Sequence, residues 1–433
     1  MRISVIGTGY VGLVAGTCLA DTGHRVICVD IDKDRVGRLK RGEMPIYEPG
    51  LEELLTRNIE EERLSFTCDL REAVSQSLLV FLCVGTPLLE SGEHDLSALI
   101  DAAEQVARVM DGYRIIVNKS TGPAGTTARL ADRMRELTSH EFDVVANPEF
   151  IKEGAAVDDF LRPDRIVVGC KDIRVLEIMR ELYAPFLRTG KPFLSMDLAS
   201  AEMSKLAVNA MLAARISVMN EFAIFCEAAG ADVSHVREAV AADGRIGAGY
   251  LFPGLGFGGS CLPKDVIASA AWAKSMGLDA SMLQAAAAVN NTASRRFIER
   301  ILSFYGDTVA QKQIAVWGAT FKPRTDDLRG APALRVIDAL LDAGMAIHAY
   351  DPVAGKQLAA LYGDRIRVAA KNYDALAGAD GLVICTEWNE FRRPDYDRMA
   401  GLMRERVIFD GRNLYTPATL KQNGFQYFSV GRG

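Results

Sequence analysis

A glycine-rich turn close to the N-terminus constrains the fold of this chain more than any other feature. A short apolar run, residues 3–6, leads into Gly7-Thr8-Gly9-Tyr10-Val11-Gly12 and an apolar helix, and a second apolar run, residues 25–29, ends at Asp30. In such a turn the first glycine permits a tight bend, the second lets a pyrophosphate approach the backbone, and the third lets the helix pack on the sheet. The pattern predicts the first strand–helix–strand unit of a dinucleotide-binding fold.

Asp30 indicates which dinucleotide such a unit would hold. A carboxylate at the end of the second strand suits the two ribose hydroxyls of NAD and would repel the 2′-phosphate of NADP. We therefore predict NAD as the cofactor, with contacts at Gly7, Gly9, Gly12 and Asp30. The alternative is that the turn is glycine-rich for purely structural reasons.

Further apolar runs of strand length alternate with helical segments along the chain. They cover residues 78–84, 115–118, 144–146 and 166–168 in the first half, and 314–318, 346–350, 382–386 and 407–410 in the C-terminal third. The C-terminal series repeats the pattern of the first, since Asp351 ends its second strand as Asp30 does. Buried parallel strands alternating with helices predict an α/β chain with two Rossmann-like, doubly wound domains.

One long helix is predicted between the two α/β segments, from Ser200 as its N-cap through Ala229, with Gly230 as the stop. It would be about 40 Å long at 1.5 Å per residue, and Glu202 suits its first turn. We expect this helix to join the two domains and to carry a homodimer interface. The predicted boundaries are 1–199 for a NAD-binding Rossmann-like domain, 200–300 for a central helical domain for dimerisation and linkage, and 301–433 for a second Rossmann-like domain.

Composition argues against several other classes of protein. Of 433 residues 24% are charged, and the formal net charge is −6. Because the net charge is negative, we do not expect a nucleic-acid-binding protein. Because no uncharged apolar run reaches about 18 residues, we do not expect a membrane-spanning one. The eight cysteines form no CxxC pair and the five histidines are scattered. We therefore expect no metal site, no disulfide framework, and a reducing, cytoplasmic setting.

The segment from Gly254 to Asp265, GLGFGGSCLPKD, carries the most chemistry. Four glycines in six residues give a backbone that can lie close to a ligand, and Cys261 follows them directly, with Lys264 and Asp265 nearby. A thiolate is a strong nucleophile, and a neighbouring cation favours it over the thiol. We therefore predict that Cys261 is a nucleophile, and we expect the other seven cysteines to be buried apolar side chains.

Polar side chains at predicted strand ends are further candidates. Thr86 in CVGTP and Thr121 in KSTG each follow a strand, which is where ligands bind in open α/β sheets. Glu149 and Glu153 follow another strand end and suit the positioning of substrate or water. Ordinary turns and loop carboxylates are the alternatives.

The long helix contributes one more pair of candidates. Lys205 and Asn209 are spaced i, i+4, so they share a face of the helix. A lysine and an amide on one face can stabilise a developing oxyanion. A solvated helix surface is the alternative.

Several segments of the chain, taken in their order, resemble motifs of the UDP-glucose/GDP-mannose dehydrogenase family. The matching segments run across nearly the whole chain: GTGYVGL, CVGTP, KSTGPAGT, NPEFIKEG, FLRPDRIVVG, EMSKLAVNA, GFGGSCLPKD and GATFKPRTDDLR. Two small departures, Gly122 for a more usual valine and Gly330 for a serine or similar small residue, remove no side chain with an assigned role. The resemblance implies that the second Rossmann-like domain binds a UDP-sugar.

The resemblance also implies a two-step, four-electron oxidation of the C6 alcohol of a nucleotide sugar to a carboxylate, with two NAD⁺. Cys261 would attack the intermediate aldehyde to give a thiohemiacetal and then a thioester, which water hydrolyses. Lys205 and Asn209 would stabilise the oxyanion. Asp265 and Thr121 would hold or activate a water, and Glu153 would assist hydrolysis of the thioester.

Two sets of binding residues follow from the same resemblance. Cofactor contacts are expected at Val11, Asp30, Arg35, Thr86, Thr121, Glu153, Lys264 and Arg329. Substrate contacts are expected at Glu149, Phe150, Ile151, Lys152, Glu153, Lys205, Asn209, Arg245, Tyr250, Leu251, Phe252, Pro253, Gly254, Gly258 and Lys322. In some family members the arginine matched by Arg245 reaches across a subunit interface. Surface charge is the alternative for Lys322 and Arg329.

Within the family, EMSKLAVNAMLAARISVMNE and GATFKPRTDDLRGAPA favour the branch that acts on UDP-glucose. The alternatives are a sister enzyme acting on GDP-mannose or UDP-N-acetylmannosamine, a two-electron 6-phosphogluconate or hydroxyacid dehydrogenase, and a non-catalytic NAD-sensing or scaffold protein. The intact Cys261, Lys205, Asn209 and Asp265 argue against the last of these.

Overall fold

The computed structural model describes residues 1–432, which divide into two units, Met1–Val208 and the part from Asn209 onward. The first unit is built on a sheet of eight strands in the order β3-β2-β1-β4-β5-β6-β7-β8. All neighbours are parallel except β6 and β7. The strands are β1 Arg2–Ile6, β2 Arg25–Val29, β3 Leu64–Thr67, β4 Leu79–Leu82, β5 Arg114–Asn118, β6 Phe142–Ala146, β7 Ile166–Gly169 and β8 Phe193–Met196.

Helices cover both faces of this sheet, and strand β5 is buried along its whole length. Parallel strands with both faces covered read as continuous apolar runs, which is why the sequence shows no alternation here. The helices are α1 Tyr10–Asp21, α2 Lys33–Lys40, α3 Leu51–Glu60, α4 Leu70–Ser75, α5 Ser97–Val109, α6 Thr126–Arg135, α7 Ala156–Leu161 and α8 Ile173–Tyr183, followed by the long α9 Leu198–Ala229.

The second unit repeats the same arrangement with six parallel strands. They are β9 Gln313–Trp317, β10 Ala346–Tyr350, β11 Arg367–Val368, β12 Gly381–Ile384, β13 Val407–Asp410 and β14 Gln426–Ser429, in the order β11-β10-β9-β12-β13-β14. Its helices are α10 Val233–Ala242, α11 Leu262–Ser275, α12 Ser281–Tyr305, α13 Pro332–Asp342, α14 Gly355–Tyr362, α15 Asn372–Leu376, α16 Tyr396–Leu402 and α17 Pro417–Gln422.

The strand order in each sheet is that of the Rossmann fold. With the strands of each unit counted from its own first strand, both sheets run 3-2-1-4-5-6, and the first continues with two further strands. The prediction of two Rossmann-like domains joined by a long central helix is confirmed.

The long helix begins two residues earlier than predicted. Asp197, not Ser200, precedes its first turn, and the Asp197 carboxylate accepts hydrogen bonds from the Ser200 backbone N–H at 2.9 Å and from the Ser200 hydroxyl at 2.6 Å. The assignment of Ser200 as the N-cap was wrong because an aspartate three residues upstream satisfies the free amide groups. Glu202 consequently lies in the second turn, and its carboxylate has a different partner, described below.

Among the described residues, α9 is the one helix long and apolar enough to cross a membrane by length and composition. This is weak evidence for a membrane span, because a helix in a protein core has the same properties. The helix also carries buried polar side chains whose partners are protein groups. Lys205 Nζ donates to a Glu149 carboxylate oxygen at 2.9 Å, and the Asn220 side-chain oxygen accepts from the Gly254 N–H at 2.8 Å.

Candidate active site

The glycine-rich turn after β1 has unoccupied space beside its second glycine, Gly9. A Cβ on Gly7, whose φ is +95°, would lie 2.7 Å from the Cys83 carbonyl oxygen, and one on Gly12 would lie 1.9 Å from the Gly7 carbonyl oxygen. A Cβ on Gly9 would meet no atom within 4 Å among the described residues. The outer glycines are therefore required by packing, whereas Gly9 leaves room over the N-terminus of α1. This opening and the free amide groups there suit a pyrophosphate.

Asp30 lies directly beside this turn. Its carboxylate accepts hydrogen bonds from the Thr8 N–H at 2.8 Å and the Thr8 hydroxyl at 2.6 Å, and the Arg35 guanidinium is 3.7 Å away. Burial alone would raise the pKa of Asp30, but the hydrogen bonds from Thr8 and Asp32 and the charge of Arg35 outweigh burial and lower it. Asp30 is therefore ionised at neutral pH, as an acceptor for ribose hydroxyls must be. Predicted contact Val11 lies in the first turn of α1, half-buried.

The second unit contains the same turn geometry. Asp351, at the end of β10, accepts from the Ala319 N–H at 2.8 Å, the Thr320 N–H at 3.1 Å and the Thr320 hydroxyl at 3.2 Å. The internal repeat inferred from the sequence thus extends to an aspartate that ties the turn after the first strand to the end of the second. It also shows that such an aspartate has a structural task in addition to any contact with a ligand.

Two of the predicted strand-end motifs meet at the carboxyl ends of β4 and β5. The Thr86 hydroxyl donates to the Thr121 carbonyl oxygen at 2.7 Å, and the Ser120 hydroxyl donates to the Val84 carbonyl oxygen at 2.7 Å. Thr86 is buried and Thr121 is half-buried. The structure therefore brings together the two threonines that the sequence placed only at the ends of separate strands.

Lys205 and Glu149 form a buried ion pair in the first unit. Their side chains are 6% and 7% exposed, and Lys205 Nζ lies 2.9 Å from a Glu149 carboxylate oxygen. The other oxygen accepts from the Ile151 N–H at 2.7 Å, and the Phe150 ring lies 5.5 Å from Lys205 Nζ. The solvated-surface alternative for Lys205 is thereby excluded. A buried ammonium held by one carboxylate is suited to stabilising negative charge that develops beside it.

Lys119 is a second buried lysine close to this pair. It begins the KSTG segment, which was predicted at a strand end, but its own side chain had no predicted role. Its Nζ donates to the Asn147 side-chain oxygen at 3.1 Å and lies 5.8 Å from the Phe160 ring centre and 6.0 Å from that of Tyr183. Burial lowers the pKa of Lys119 to about 8, and the charge of Lys205 acts in the same direction. The hydrophobic run before Lys119 marked a strand end but did not reveal that its side chain turns inward.

The loop after β6 is held by contacts that the sequence did not predict. Glu48 accepts from the Gly154 N–H at 2.6 Å, from the Ala156 N–H at 2.8 Å and from the Tyr10 hydroxyl. Lys152 is exposed and pairs with Asp159 at 2.6 Å, while Glu153 is half-buried. A glutamate 106 residues before Gly154 therefore fixes the loop that carries Glu149 to Glu153.

In the second unit, Cys261 is exposed and immediately precedes α11, with its Sγ 3.6 Å from the Ser260 hydroxyl oxygen. One turn further on, buried Asp265 accepts from the Asn209 amide nitrogen at 2.6 Å and from Lys264 Nζ at 2.6 Å. A helix N-terminus stabilises negative charge, so the position suits a thiolate. The structure thus brings Asn209, Lys264 and Asp265 together within one turn of Cys261.

The glycines before Cys261 have a structural reason that the sequence did not reveal. A Cβ on Gly258 would lie 2.4 Å from the Gly330 carbonyl oxygen, and one on Gly259, whose φ is +88°, would lie 2.8 Å from the Phe321 ring. Gly254 and Gly256 approach Gly411 and Asn290 in the same way. The glycine-rich segment therefore packs directly on helix α12 and on loops of the second unit, including the segment that carries Lys322 and Arg329.

The remaining predicted residues of the second unit lie in loops. Leu251 and Pro253 are buried and Phe252 is exposed under the Arg237 guanidinium, 4.5 Å from its ring centre. Exposed Arg245 pairs with Asp243 at 2.7 Å, and Arg329 pairs with Asp327 at 2.8 Å. Tyr250 has a φ of +59° and is half-buried, as is Lys322, whose Nζ lies 5.6 Å from the Phe321 ring centre.

One expectation about the cysteines was wrong. All eight are free, and six are buried, but Cys68 is exposed. Cys68 lies in the bend between β3 and α4, outside both elements, whereas Leu64 and Phe66 within β3 are buried. Within residues 1–432 no group of three or more histidine, cysteine or acidic side chains forms a metal site.

The fold and the turn beside Asp30 define the chain as a dinucleotide-binding α/β protein made of two Rossmann-like units. It belongs to the UDP-glucose/GDP-mannose dehydrogenase family. The family's NAD binding domain matches residues 1–187, its central domain residues 199–292 and its UDP binding domain residues 315–417. The resemblance inferred from the motifs is confirmed.

Individual relatives match over the whole chain. A UDP-glucose 6-dehydrogenase from Pseudomonas aeruginosa is 44% identical, over 100% of this chain and 98% of its own length. The structure of a UDP-glucose dehydrogenase from Pyrobaculum islandicum superimposes with a TM-score of 0.91 at 36% identity, covering 100% of this chain and 98% of that one. A UDP-D-ManNAc dehydrogenase from Pyrococcus horikoshii gives a TM-score of 0.87 at 27% identity, with full coverage of both chains.

Proposed function

We propose that this chain is an NAD⁺-dependent dehydrogenase that oxidises the C6 alcohol of UDP-glucose to the carboxylate of UDP-glucuronate. The observation that carries the proposal is the exposed thiol of Cys261 at the N-terminus of α11, one turn from buried Asp265 and its partners Asn209 and Lys264. In a member of this family, a thiol so placed supplies the covalent anchor that a four-electron oxidation needs, since a free aldehyde would otherwise escape between the two steps.

The proposed reaction balances as one alcohol, two NAD⁺ and one water giving one carboxylate, two NADH and three protons. NAD⁺, when bound, accepts the hydride in each oxidation. The Cys261 thiolate adds to the aldehyde carbon and forms a carbon–sulfur bond, giving a thiohemiacetal whose oxidation yields a thioester. Water then adds to the thioester carbonyl, the carbon–sulfur bond breaks, and the thiolate is regenerated.

The polar side chains have separate tasks in this proposal. Lys205, which Glu149 stabilises as an ammonium, and Asn209 donate to the oxyanion. Since one amide hydrogen of Asn209 is taken by Asp265, its second hydrogen makes this contact. Asp265 and Thr121 hold the hydrolytic water, and Glu153 assists hydrolysis of the thioester.

The binding residues are proposed as the resemblance implies. Gly7, Gly9, Val11, Gly12, Asp30, Arg35, Thr86, Thr121, Glu153, Lys264 and Arg329 bind the cofactor. Glu149 to Glu153, Lys205, Asn209, Arg245, Tyr250 to Gly254, Gly258 and Lys322 bind the nucleotide sugar. The open backbone at Gly9 and the ionised Asp30 support the first set.

We propose a homodimer that forms through α9. Met211, Val218, Phe222 and Phe225 are 64%, 48%, 45% and 53% exposed, and their spacing of seven, four and three residues places them on one stripe of the helix. Four large apolar side chains exposed on one stripe are typical of a contact surface. In the proposed division into residues 1–199, 200–300 and 301–433, the middle segment forms the dimer interface and links the two Rossmann-like domains. A reducing, cytoplasmic setting would preserve the Cys261 thiol.

The experiment is a substrate panel with product stoichiometry. Purified protein is offered UDP-glucose, GDP-mannose and UDP-N-acetylmannosamine with NAD⁺, and the NADH formed is compared with the sugar consumed. The proposal predicts the highest kcat/KM with UDP-glucose and two NADH for each sugar. A preference for UDP-N-acetylmannosamine would contradict the assignment of UDP-glucose and favour the activity of the Pyrococcus relative. Formation of one NADH for each sugar would contradict the four-electron reaction.

A further inference from the structure

The buried carboxylate of Glu202 lies near Lys205 and has no assigned part in the reaction described above. Glu202 is 6% exposed and lies three residues before Lys205 on α9. Residues so spaced lie on neighbouring positions of one helix face, so anything that holds Glu202 in place also restrains Lys205.

The partners of Glu202 lie about 75 residues earlier in the chain. One carboxylate oxygen accepts from the Gly125 N–H at 2.7 Å, and the other accepts from the Thr127 N–H and the Thr127 hydroxyl, both at 2.6 Å. Gly125 precedes α6 with a φ of +96° and has no side chain to cap that helix. Glu202 therefore supplies the capping acceptor that the local sequence lacks.

This contact fixes one end of the loop that carries Thr121. The other end is fixed where β5 finishes, because the Thr121 carbonyl oxygen accepts from the Thr86 hydroxyl at 2.7 Å. Only three residues separate Thr121 from Gly125, and one of them is Pro123. The position of Thr121 is thus set from the sheet on one side and from α9 on the other.

Thr121, Glu202 and Lys205 also line one small cavity, together with Asn118, Ser120, Gly122, Ala146 and Pro148. Its volume is about 10 Å³, close to the least that admits one water molecule. The three side chains therefore border a common space. The distance between Thr121 and Lys205 across it depends on the bonds that Glu202 makes.

We propose that Glu202 is a positioning residue that sets the separation of Thr121 and Lys205, and through it the rate of thioester hydrolysis. The proposal rests on the function proposed above, in which Thr121 holds the water and Lys205 the oxyanion. Glutamine at position 202 would keep the volume but would replace one of the two oxygens, both of which accept hydrogen bonds, with an NH₂ group. That group faces N–H donors, so the loop must shift.

The test compares Glu202→Gln with the control Glu104→Gln. Glu104 also secures α6, but from its other end, through the Arg133 guanidinium at 2.5 Å. We expect Glu202→Gln to lower kcat about 10- to 100-fold, because small misplacements of reacting groups cost rates of this order. The KM for NAD⁺ should rise by a smaller factor than kcat falls, because Thr121 is one of eleven proposed cofactor contacts and the shift of its loop leaves the others in place. Glu104→Gln should lower the melting temperature with little change in kcat.

A second measurement separates this inference from the function on which it rests. Amide hydrogen exchange of residues 121–127 should accelerate in Glu202→Gln and not in Glu104→Gln, whether or not the wild type oxidises UDP-glucose. Unchanged exchange would overturn the inference by itself. If the wild type is active and Glu202→Gln keeps its kcat while losing only thermal stability, Glu202 is a helix cap and nothing more. If no sugar of the panel is oxidised, the proposed function fails instead.

Discussion

Replacing Glu149 with glutamine tests the buried ion pair on which Lys205 depends. The substitution removes the negative charge 2.9 Å from Lys205 Nζ, where both side chains are less than 8% exposed. Removing one partner of a buried pair typically costs about 3–5 kcal/mol, because the remaining charge is buried without compensation. Buried Lys119 adds a second positive charge to the same region. We therefore expect the upper part of this range, which in a unit of about 200 residues lowers Tm by roughly 8–20 °C.

The measurement is urea unfolding of the Glu149→Gln variant beside a matched control. Asp164→Asn removes an exposed pair in the same unit, with Lys191 at 3.2 Å, and should cost at most about 1 kcal/mol. The double variant Glu149→Gln, Lys205→Met should recover stability relative to Glu149→Gln, because neither charge remains. If Glu149→Gln costs no more than Asp164→Asn, the pair does not stabilise the fold as argued.

Three further predictions concern the cofactor, the buried lysine and the dimer. Asp30→Asn should raise the KM for NAD⁺ about tenfold or more, the loss of about 1.4 kcal/mol of binding, with the KM for the sugar nearly unchanged. Asp351→Asn, which disturbs the same turn geometry in the second unit, should leave the KM for NAD⁺ unchanged. If both variants raised the KM for NAD⁺ equally, the assignment of Asp30 as a cofactor contact would be contradicted. Because burial lowers the pKa of Lys119 to about 8 and the unfolded chain titrates near 10.4, the unfolded state binds more protons between these values. Stability should therefore rise with pH across that window, and Lys119→Met should abolish the rise in urea unfolding. Phe222→Asp with Phe225→Asp should dissociate the dimer in sedimentation, whereas Met276→Asp, on another exposed site, should not.

Much of the fold follows from local sequence, because a strand buried on both faces must be a short apolar run. β2 and β10 have the predicted bounds, and the aspartates that end them form the same turn contacts. The need for glycine at position 12 is equally local, since a Cβ there would meet the Gly7 carbonyl oxygen five residues earlier.

What the sequence did not reveal are contacts between residues far apart in the chain. Glu202 caps a helix that begins 76 residues earlier, and Glu48 secures a loop 106 residues later. Cys68 is exposed in the bend after β3, although Phe66, two residues earlier, is buried. Gly259 meets a ring 62 residues away. Spacing alone identifies none of these partners.

The most direct test of the account is a turnover experiment on Cys261→Ser, with Cys68→Ser, the other exposed cysteine, as its control. Each variant is mixed with excess UDP-glucose and NAD⁺, and NADH and UDP-glucuronate are followed per active site. The account predicts that Cys68→Ser turns over repeatedly at the wild-type rate, whereas Cys261→Ser binds NAD⁺ normally and stalls after at most two NADH per site. Release of UDP-glucuronate by Cys261→Ser at nearly the wild-type rate would contradict it.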